Sequence, residues 1–381
     1  MSPILIGIPC LKTGGTEIQT LRLVEALVEG GYHCVTVCYF EYDFQMVQRY
    51  EKAGSKVVCL SAYGRRPEGN LATYKFLKSG LKRVVAEYRP TIAHIQYMAP
   101  GAMPIIILRK LGIKKIIATL HTDASIYRNL RLVHYLQKHK TTAFTCVTEA
   151  AEKSFFGSSQ LFDETFELKS HNHFTIHNCL PPNYTRHTSH IILHTSPITI
   201  GIVARLERIK GVDYVMPAFA KVLKHQPSCR LMIVGDGQLR ESMEKQQREL
   251  GISESNVVWT GHVPYEKLSD YYKQIGLIWM PSRSEGFGLS AIEAMANEKV
   301  VIAAVTGGLK EIVEDEVDGI LFPNGDVDSL AAKTIELLDN PERLQTLAQH
   351  ALHKAEQFTF DNYKESINTL YSKLTSHYQK R

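Results

Sequence analysis

Several features are scarce in this chain of 381 residues. Its seven cysteines are scattered and form no Cys-x-x-Cys pair. That argues against a zinc ribbon and against a disulfide framework. The closest two, Cys34 and Cys38, sit in the apolar run "HCVTVCYF". On a strand both point to one face, and a core position is expected. An odd count without a framework fits a reducing cytoplasm. The opening "MSPILIGIPC" has no basic lead and only a short apolar run, so no secretory signal is expected. Residues 90–108, "PTIAHIQYMAPGAMPIIIL", carry no formal charge over 19 residues, close to membrane-spanning length. Three prolines, His94 and Gln96 interrupt them, and the reading is a strand, a loop and a buried helix start. No short-period repeat or low-complexity tract is present. An apolar content of 44% and a charged content of 22% are those of a globular protein and exclude disorder.

Acidic charge is short in one half. Residues 1–190 hold 23 Lys+Arg against 14 Asp+Glu, whereas the remainder holds 21 against 25. A basic first half favours an anionic partner, such as acidic lipid headgroups or a phosphorylated acceptor, over a merely solvated surface. The basic residues are dispersed and lack aromatic interleaving, so a nucleic-acid partner is not expected.

What is present is a regular alternation. "ILIGIP", "CVTVCYF", "KVVCL", "IAHIQY", "KIIATL" and "AFTCVT" are short apolar runs, most separated by segments long enough for helices, the first near 16–30. Such continuous runs are strands buried on both faces of a parallel sheet. A polar, proline-bearing stretch at 178–197 reads as a linker. The alternation then restarts with "ITIGIVA", "RLMIVG", "NVVWTG", "GLIWMP" and "VVIAAV". Helices are expected near 211–225, 236–250, 265–273 and 288–297, with a helical tail from about 341. The fold class is α/β, with two doubly wound Rossmann-like domains facing across a cleft. The first covers 1–190, the second 191–356, and a C-terminal helix at about 357–381 packs back on the first.

In such sheets ligands sit beyond the carboxyl ends of strands, so the loops there carry the chemistry. Gly14 and Gly15 precede the first helix, where bare N–H groups and the helix end favour an anion; a tight turn explains them equally well. Arg205 and Lys210 follow the first strand of the second half, where two cations beside a helix start suit a phosphate. Arg208 in the same loop reads as surface. Gly235 and the "GHV" run with His262 and Val263 each follow a strand, and either loop serves as a plain turn or as a passage for a ribose or base edge. "AVTGGLKEIV" offers a second Gly-Gly. "SEGFGLSAIEAMA" places Glu285 in a strand-exit loop and Glu293 in the helix behind it, with Gly286, Phe287, Gly288 and Leu289 between. Amides that suit a phosphate thus lie between carboxylates that suit sugar hydroxyls. Asp326-Val-Asp328 spells a metal motif but precedes a helical run, where it caps; no metal site is expected.

These loops, in this order, resemble retaining nucleotide-sugar glycosyltransferases of the GT-B fold, the group 1 or family 4 class, over nearly the whole chain. Glu285-x7-Glu293 enclosing Gly286-Phe287-Gly288 is the most specific element. Arg205 and Lys210 match the family's R-x4-K pair, Gly14-Gly15 its glycine loop, and "TLHTD" its strand-end histidine, His121. The resemblance implies that Glu293 binds ribose hydroxyls and Glu285 the transferred sugar. It gives Arg205 and Lys210 the diphosphate, and the Phe287 to Leu289 amides a phosphate or sugar contact. Gly15 would meet the phosphate, His121 would lie at the sugar and acceptor side, and His262 and Val263 would frame the base. The implied activity is metal-independent transfer of a hexose-type sugar from a nucleoside-diphosphate sugar to a hydroxyl of a glycan or glycolipid, in cell-surface polysaccharide or glycolipid synthesis. No cofactor is implied, and the expected location is cytoplasmic with peripheral contact at an anionic membrane. A nucleotide-sugar epimerase on the same fold and a non-catalytic nucleotide-sugar binder are the alternatives. Ala204, the absence of Gly-x-Pro in "NEKVVIA" and Cys179 depart from the family pattern without touching the donor groups.

Overall fold

The computed structural model describes residues 2–98, 101–168, 171–182, 184 and 198–376. Most of the expected linker, and residues 377–381 of the expected last helix, lie outside them. The chain divides into two compact units, Met1–Pro182 with Thr359–Arg381, and Asn183–Phe358.

The first unit is built on seven parallel strands: β1 (Ile4–Ile8), β2 (Cys34–Cys38), β3 (Ser55–Cys59), β4 (Ile92–Gln96), β5 (Lys115–Leu120), β6 (Ala143–Cys146) and β7 (His173–Thr175). Their order across the sheet is β3-β2-β1-β4-β5-β6-β7, all in parallel register, with Ile4 beside both Cys34 and Ile92. Every residue of β1, β2 and β4 is buried, as the unbroken apolar runs required. Cys34 and Cys38 both enter one core cluster, together with Leu21, Val24 and Tyr371. The helix Phe360–Ser376, from the far end of the sequence, packs against the helix Gly15–Glu29. Ile367, Leu370 and Tyr371 fill the seam, and Lys364 closes on Glu29 at 2.9 Å. Each such side chain taken out of water contributes roughly 1.5–3 kcal/mol, enough to hold a sequence-distant helix in place.

The second unit repeats the plan with six strands: β8 (Thr199–Val203), β9 (Arg230–Val234), β10 (Val257–Gly261), β11 (Leu277–Met280), β12 (Val300–Ala304) and β13 (Ile320–Phe322), ordered β10-β9-β8-β11-β12-β13. Trp279 is buried at its centre, and its indole N–H is satisfied by Thr334 Oγ1 at 2.9 Å.

Two strands escaped the sequence reading. β7 and β13 are three residues each, too short to show a period, and both are edge strands. Two helix starts were placed early. The segment expected to be helical from 211 is two 3-10 turns, Arg208–Lys210 and Val212–Tyr214, before the α-helix Val215–His225. The segment expected from 236 becomes helical at Arg240. In the first case Gly211 has φ +64, a left-handed conformation that stops a right-handed helix.

Both sheets change winding direction beside their first strand, at β1/β4 and at β8/β11. Ligand crevices of open parallel sheets lie at such points.

Candidate functional site

In the second unit the two loops at the switch point are those after β8 and β11, and they are bound together tightly. A Cβ on Gly211 would lie 1.8 Å from the Pro281 carbonyl oxygen, so only glycine lets the first loop cross the second there. The Arg283 amide donates to the Ile209 carbonyl at 2.9 Å. Its guanidinium forks onto Asp213 at 2.6 and 2.7 Å, and reaches the Arg208 carbonyl at 2.5 Å. It also lies over the Tyr214 ring, 4.1 Å from the centroid. Hydrogen bonds from Arg283 hold the Asp213 carboxyl below the usual range. None of these contacts was readable in the sequence, because Asp213 and Arg283 are 70 positions apart.

That scaffold brings Lys210 Nζ to 2.6 Å from Glu285 Oε2, which also accepts from Ser282 Oγ at 3.3 Å. The side chains remain 23% and 13% exposed, so both heads stay within reach of a ligand. Glu285 is carried from beneath by the Gly-Gly turn after β12. The Gly308 amide donates to the Glu285 carbonyl at 3.0 Å. A Cβ on Gly307 would stand 1.9 Å from that same oxygen. The second Gly-Gly is therefore a seat for the carboxylate loop. Gly286 and Phe287 are engaged within the fold, the Phe287 ring meeting Phe358 edge-on at 5.7 Å. Gly288 caps the helix Leu289–Ala296, its carbonyl accepting from the Ala291 amide at 2.8 Å.

Glu293 lies one helix turn further in and is only 7% exposed. A buried carboxylate needs donors, and two phenols supply them. Tyr265 donates to Oε1 at 2.9 Å and Tyr272 to Oε2 at 3.1 Å. A third, Tyr184, donates to the Glu293 carbonyl at 3.0 Å. Burial and the Glu293 charge push the Tyr272 and Tyr184 hydroxyls well up, which keeps them protonated donors. These tyrosines were missed. The two tyrosines in "YEKLSDYY", Tyr265 and Tyr272, seven positions apart in the loop and helix after β10, were the available signal.

The remaining expected residues of this unit are more dispersed. Arg205 is exposed and pairs with Glu207 at 2.9 Å, so it is not in contact with the Lys210–Glu285 pair. Gly235 directly follows β9 and its amide donates to the Gly261 carbonyl at 3.0 Å. His262 is exposed and Val263 half-buried in the loop after β10. Asp326 caps its helix, accepting from the Ser329 amide at 2.9 Å, and Asp328 pairs with Lys221 at 2.8 Å.

In the first unit Gly14 caps the helix that begins at Gly15. His121 follows β5 and its Nε2 meets Gln96 Oε1, at the end of β4, at 2.6 Å. Below it His94 is buried between Tyr371 Oη at 2.9 Å and Thr119 Oγ1 at 2.6 Å. His94, Gln96, Thr119 and His121 line a small cavity with Gln19 and Asn178. Burial pushes His121 down to about 4. Burial, then the neighbouring His121, pushes His94 down to about 3. Both rings are neutral near pH 7. Gln96 Oε1 accepts only, so Nε2 of His121 carries the proton and Nδ1 is left as an acceptor.

Among the described residues one group of metal-ligating side chains draws together, Glu152, His171 and His173 beside β7. Glu152 is fully buried and accepts from His173 Nδ1 at 2.7 Å, Thr175 Oγ1 at 2.8 Å and the Gln160 amide at 3.1 Å. That set of donors makes it a structural acceptor.

Two family models match the chain, Glycosyltransferase Family 4 over residues 13–157 and Glycosyl transferases group 1 over residues 188–354. The first span contains Gly14, Gly15 and His121, and the second contains Arg205, Lys210, Glu285 and Glu293. A D-inositol 3-phosphate glycosyltransferase of Segniliparus rotundus is 26% identical over 74% of this chain and 66% of its own length. An uncharacterised glycosyltransferase of Methanocaldococcus jannaschii is 24% identical over 95% of both chains. Among solved structures, Anabaena HepE in complex with UDP and glucose superposes with a TM-score of 0.78 at 19% identity, covering 98% of this chain and 100% of that one. Sucrose-phosphate synthase from Thermosynechococcus elongatus does so with a TM-score of 0.79 at 20% identity, covering 99% and 100%. The family models account for both units and the structural matches run end to end: the chain is a group 1 glycosyltransferase of the GT-B fold.

Proposed function

We propose that this enzyme is a retaining transferase that moves a hexose-type sugar from a nucleoside-diphosphate sugar to a hydroxyl of a glycan or glycolipid, without a metal. The observation that carries the proposal is the Lys210–Glu285 pair, held at the β8/β11 switch point beside a helix start. A cation and a carboxylate at one point suit a ligand with a phosphate and a sugar hydroxyl side by side. The nucleotide-bound state of the Anabaena structure supports a nucleotide-sugar donor.

In the mechanism, the bond between the anomeric carbon and the phosphate oxygen breaks, and the departing diphosphate gains negative charge. Lys210, with the amides at Gly288 and Leu289, stabilises that charge, preorganised donors being worth most where charge develops. Arg205 joins them only if its side chain leaves Glu207. Glu285 holds the transferred sugar. Glu293, fixed by Tyr265 and Tyr272, receives the ribose hydroxyls. His262, Val263 and Gly235 border the base and ribose. The acceptor oxygen attacks the face that the phosphate leaves, and the leaving phosphate oxygen takes its proton. In the first unit His121 presents an acceptor nitrogen to a sugar hydroxyl, and Gly14 and Gly15 offer helix-start amides to phosphate.

A thermal-shift panel of UDP-, GDP- and ADP-sugars identifies the donor; at 100 times its Kd the correct one adds about 2.7 kcal/mol of stability. Product analysis with that donor then separates transfer from epimerisation, since an epimerase converts donor with no acceptor present. Activity should persist in EDTA, and loss restored by Mn²⁺ refutes the metal-free mechanism. No helix among the described residues is long and apolar enough to cross a membrane. The basic first half suits an anionic glycolipid acceptor reached by peripheral binding. Failure to sediment with anionic vesicles at low salt overturns that part.

A further inference from the structure

Two thiols in the first unit stand in a relation that sugar transfer does not use. Cys38 ends β2, Cys59 ends β3, and the two are direct partners in the parallel register. Neighbouring strands run about 4.8 Å apart, within the 4.4–6.8 Å separation of Cα atoms that a disulfide bridges. Directly paired residues project to the same face, which sets the two thiols side by side, and the Cys38 thiol donates to the Glu41 carbonyl at 3.4 Å. β3 is the edge strand, Cys59 is half-buried there, and Cys38 is buried behind it.

Reactivity is unequal among the seven cysteines. The neighbouring Cys38 lowers the Cys59 thiol and Cys59 raises that of Cys38, so the more accessible sulfur of the pair is the readier to lose its proton. Cys10 and Cys34 are both pushed up to about 12 by burial, and the Cys10 thiol is engaged by Glu17 at 2.9 Å. Cys34 faces Ser55 across the register. Cys146, Cys179 and Cys229 are buried, and burial raises each. A half-buried thiol that ionises more readily, beside a buried resolving thiol, is the arrangement that redox-responsive cysteines use.

We propose that Cys38 and Cys59 are a reversible redox modification site, closing to an intramolecular disulfide by exchange with a low-molecular-weight disulfide. The Cys59 thiolate attacks one sulfur of the small disulfide, forming a mixed disulfide and releasing one small thiolate. Cys38 then gives up its proton and attacks the Cys59 sulfur, forming the Cys38–Cys59 bond and releasing the second small thiol. Two protein thiols are oxidised and one small disulfide is reduced to two thiols. A reducing compartment leaves the pair open, and an oxidising shift ties the edge strand covalently to its neighbour.

The experiment incubates the full chain in glutathione buffers of graded ratio, alkylates the free thiols, and maps peptides by mass spectrometry. The expected result is one peptide cross-link between Cys38 and Cys59, formed as oxidised glutathione rises and reversed by dithiothreitol. Cys38→Ser should stall at a single glutathione on Cys59, and Cys59→Ser should leave Cys38 alkylatable. The wild-type cross-link is read without any substitution, so a variant that misfolds leaves that arm intact. Full alkylation of both thiols in oxidising buffer overturns the proposal, as does a cross-link to Cys10 or Cys34, or a persistent mixed disulfide that never resolves.

Discussion

Lys210 is the side chain on which the proposed chemistry depends most, and Lys210→Ala separates its catalytic role from its structural one. Its ammonium lies 2.6 Å from Glu285 Oε2. Removing it leaves that carboxylate with the weaker Ser282 contact at 3.3 Å. Because both side chains retain solvent contact, the pair is screened, and its loss should cost about 1 kcal/mol of stability or less. Loss of a donor that neutralises charge developing on a leaving group costs roughly 2.7–4 kcal/mol, or about 10²–10³ in kcat. The two effects differ enough to be read apart. Initial rates over a matrix of donor and acceptor concentrations should show kcat and kcat/KM falling together, with a thermal midpoint shifted by a few degrees. Lys210→Arg should recover part of the rate, since it keeps charge but presents a planar fork. A folded Lys210→Ala enzyme with unchanged kcat refutes the reasoning. A rise in donor KM alone would mean that Lys210 binds ground state and transition state equally.

Gly307→Ala should displace the Glu285 backbone, because its Cβ would fall 1.9 Å from the Glu285 carbonyl oxygen at a φ of +43; donor-induced thermal shift should shrink severalfold, and an unaltered shift contradicts the seating role. Tyr265→Phe removes one of two phenol donors from a buried carboxylate, worth about 1.5–3 kcal/mol for a bond to a charged group, and should raise donor KM by about tenfold or more with kcat less affected. His94 and His121 are held down to about 3 and 4, below an ordinary histidine. Between those values and about 6.5 the unfolded chain binds more protons than the folded one. Stability is therefore fully present above about pH 6.5 and is lost as pH falls toward 4, and His94→Gln should flatten that slope in denaturant titrations.

The candidate site divides by what kind of information each residue needed. Glu285, Glu293 and Lys210 were legible because each sits in a loop or helix directly behind an apolar run, where a parallel sheet opens to ligand. Asp326 was legible as a cap because the helical pattern begins directly after it. The tyrosines that fix Glu293 were not, because hydroxyl-to-carboxylate contact depends on how the turn and short helix at 265–272 lie against a helix 21 to 28 positions on. Arg283 and Asp213 escaped for the same reason, their fork spanning 70 positions. Arg205 shows the converse, a motif position whose side chain turns outward to Glu207. Gln96 was visible only as a polar interruption of an apolar run, and its hold on His121 emerged once β4 and β5 were adjacent.

By itself the sequence determined the fold class, the two wound halves and the loops that carry charge, because strand burial and helix periodicity leave their marks on neighbouring residues. Tertiary structure alone decided which groups meet: the glycine turns that seat Glu285, the phenols that close on Glu293, the last helix laid against the first, and the pairing of Cys38 with Cys59. Those depend on close approach between backbones far apart along the chain, and no local pattern encodes a distance of that kind.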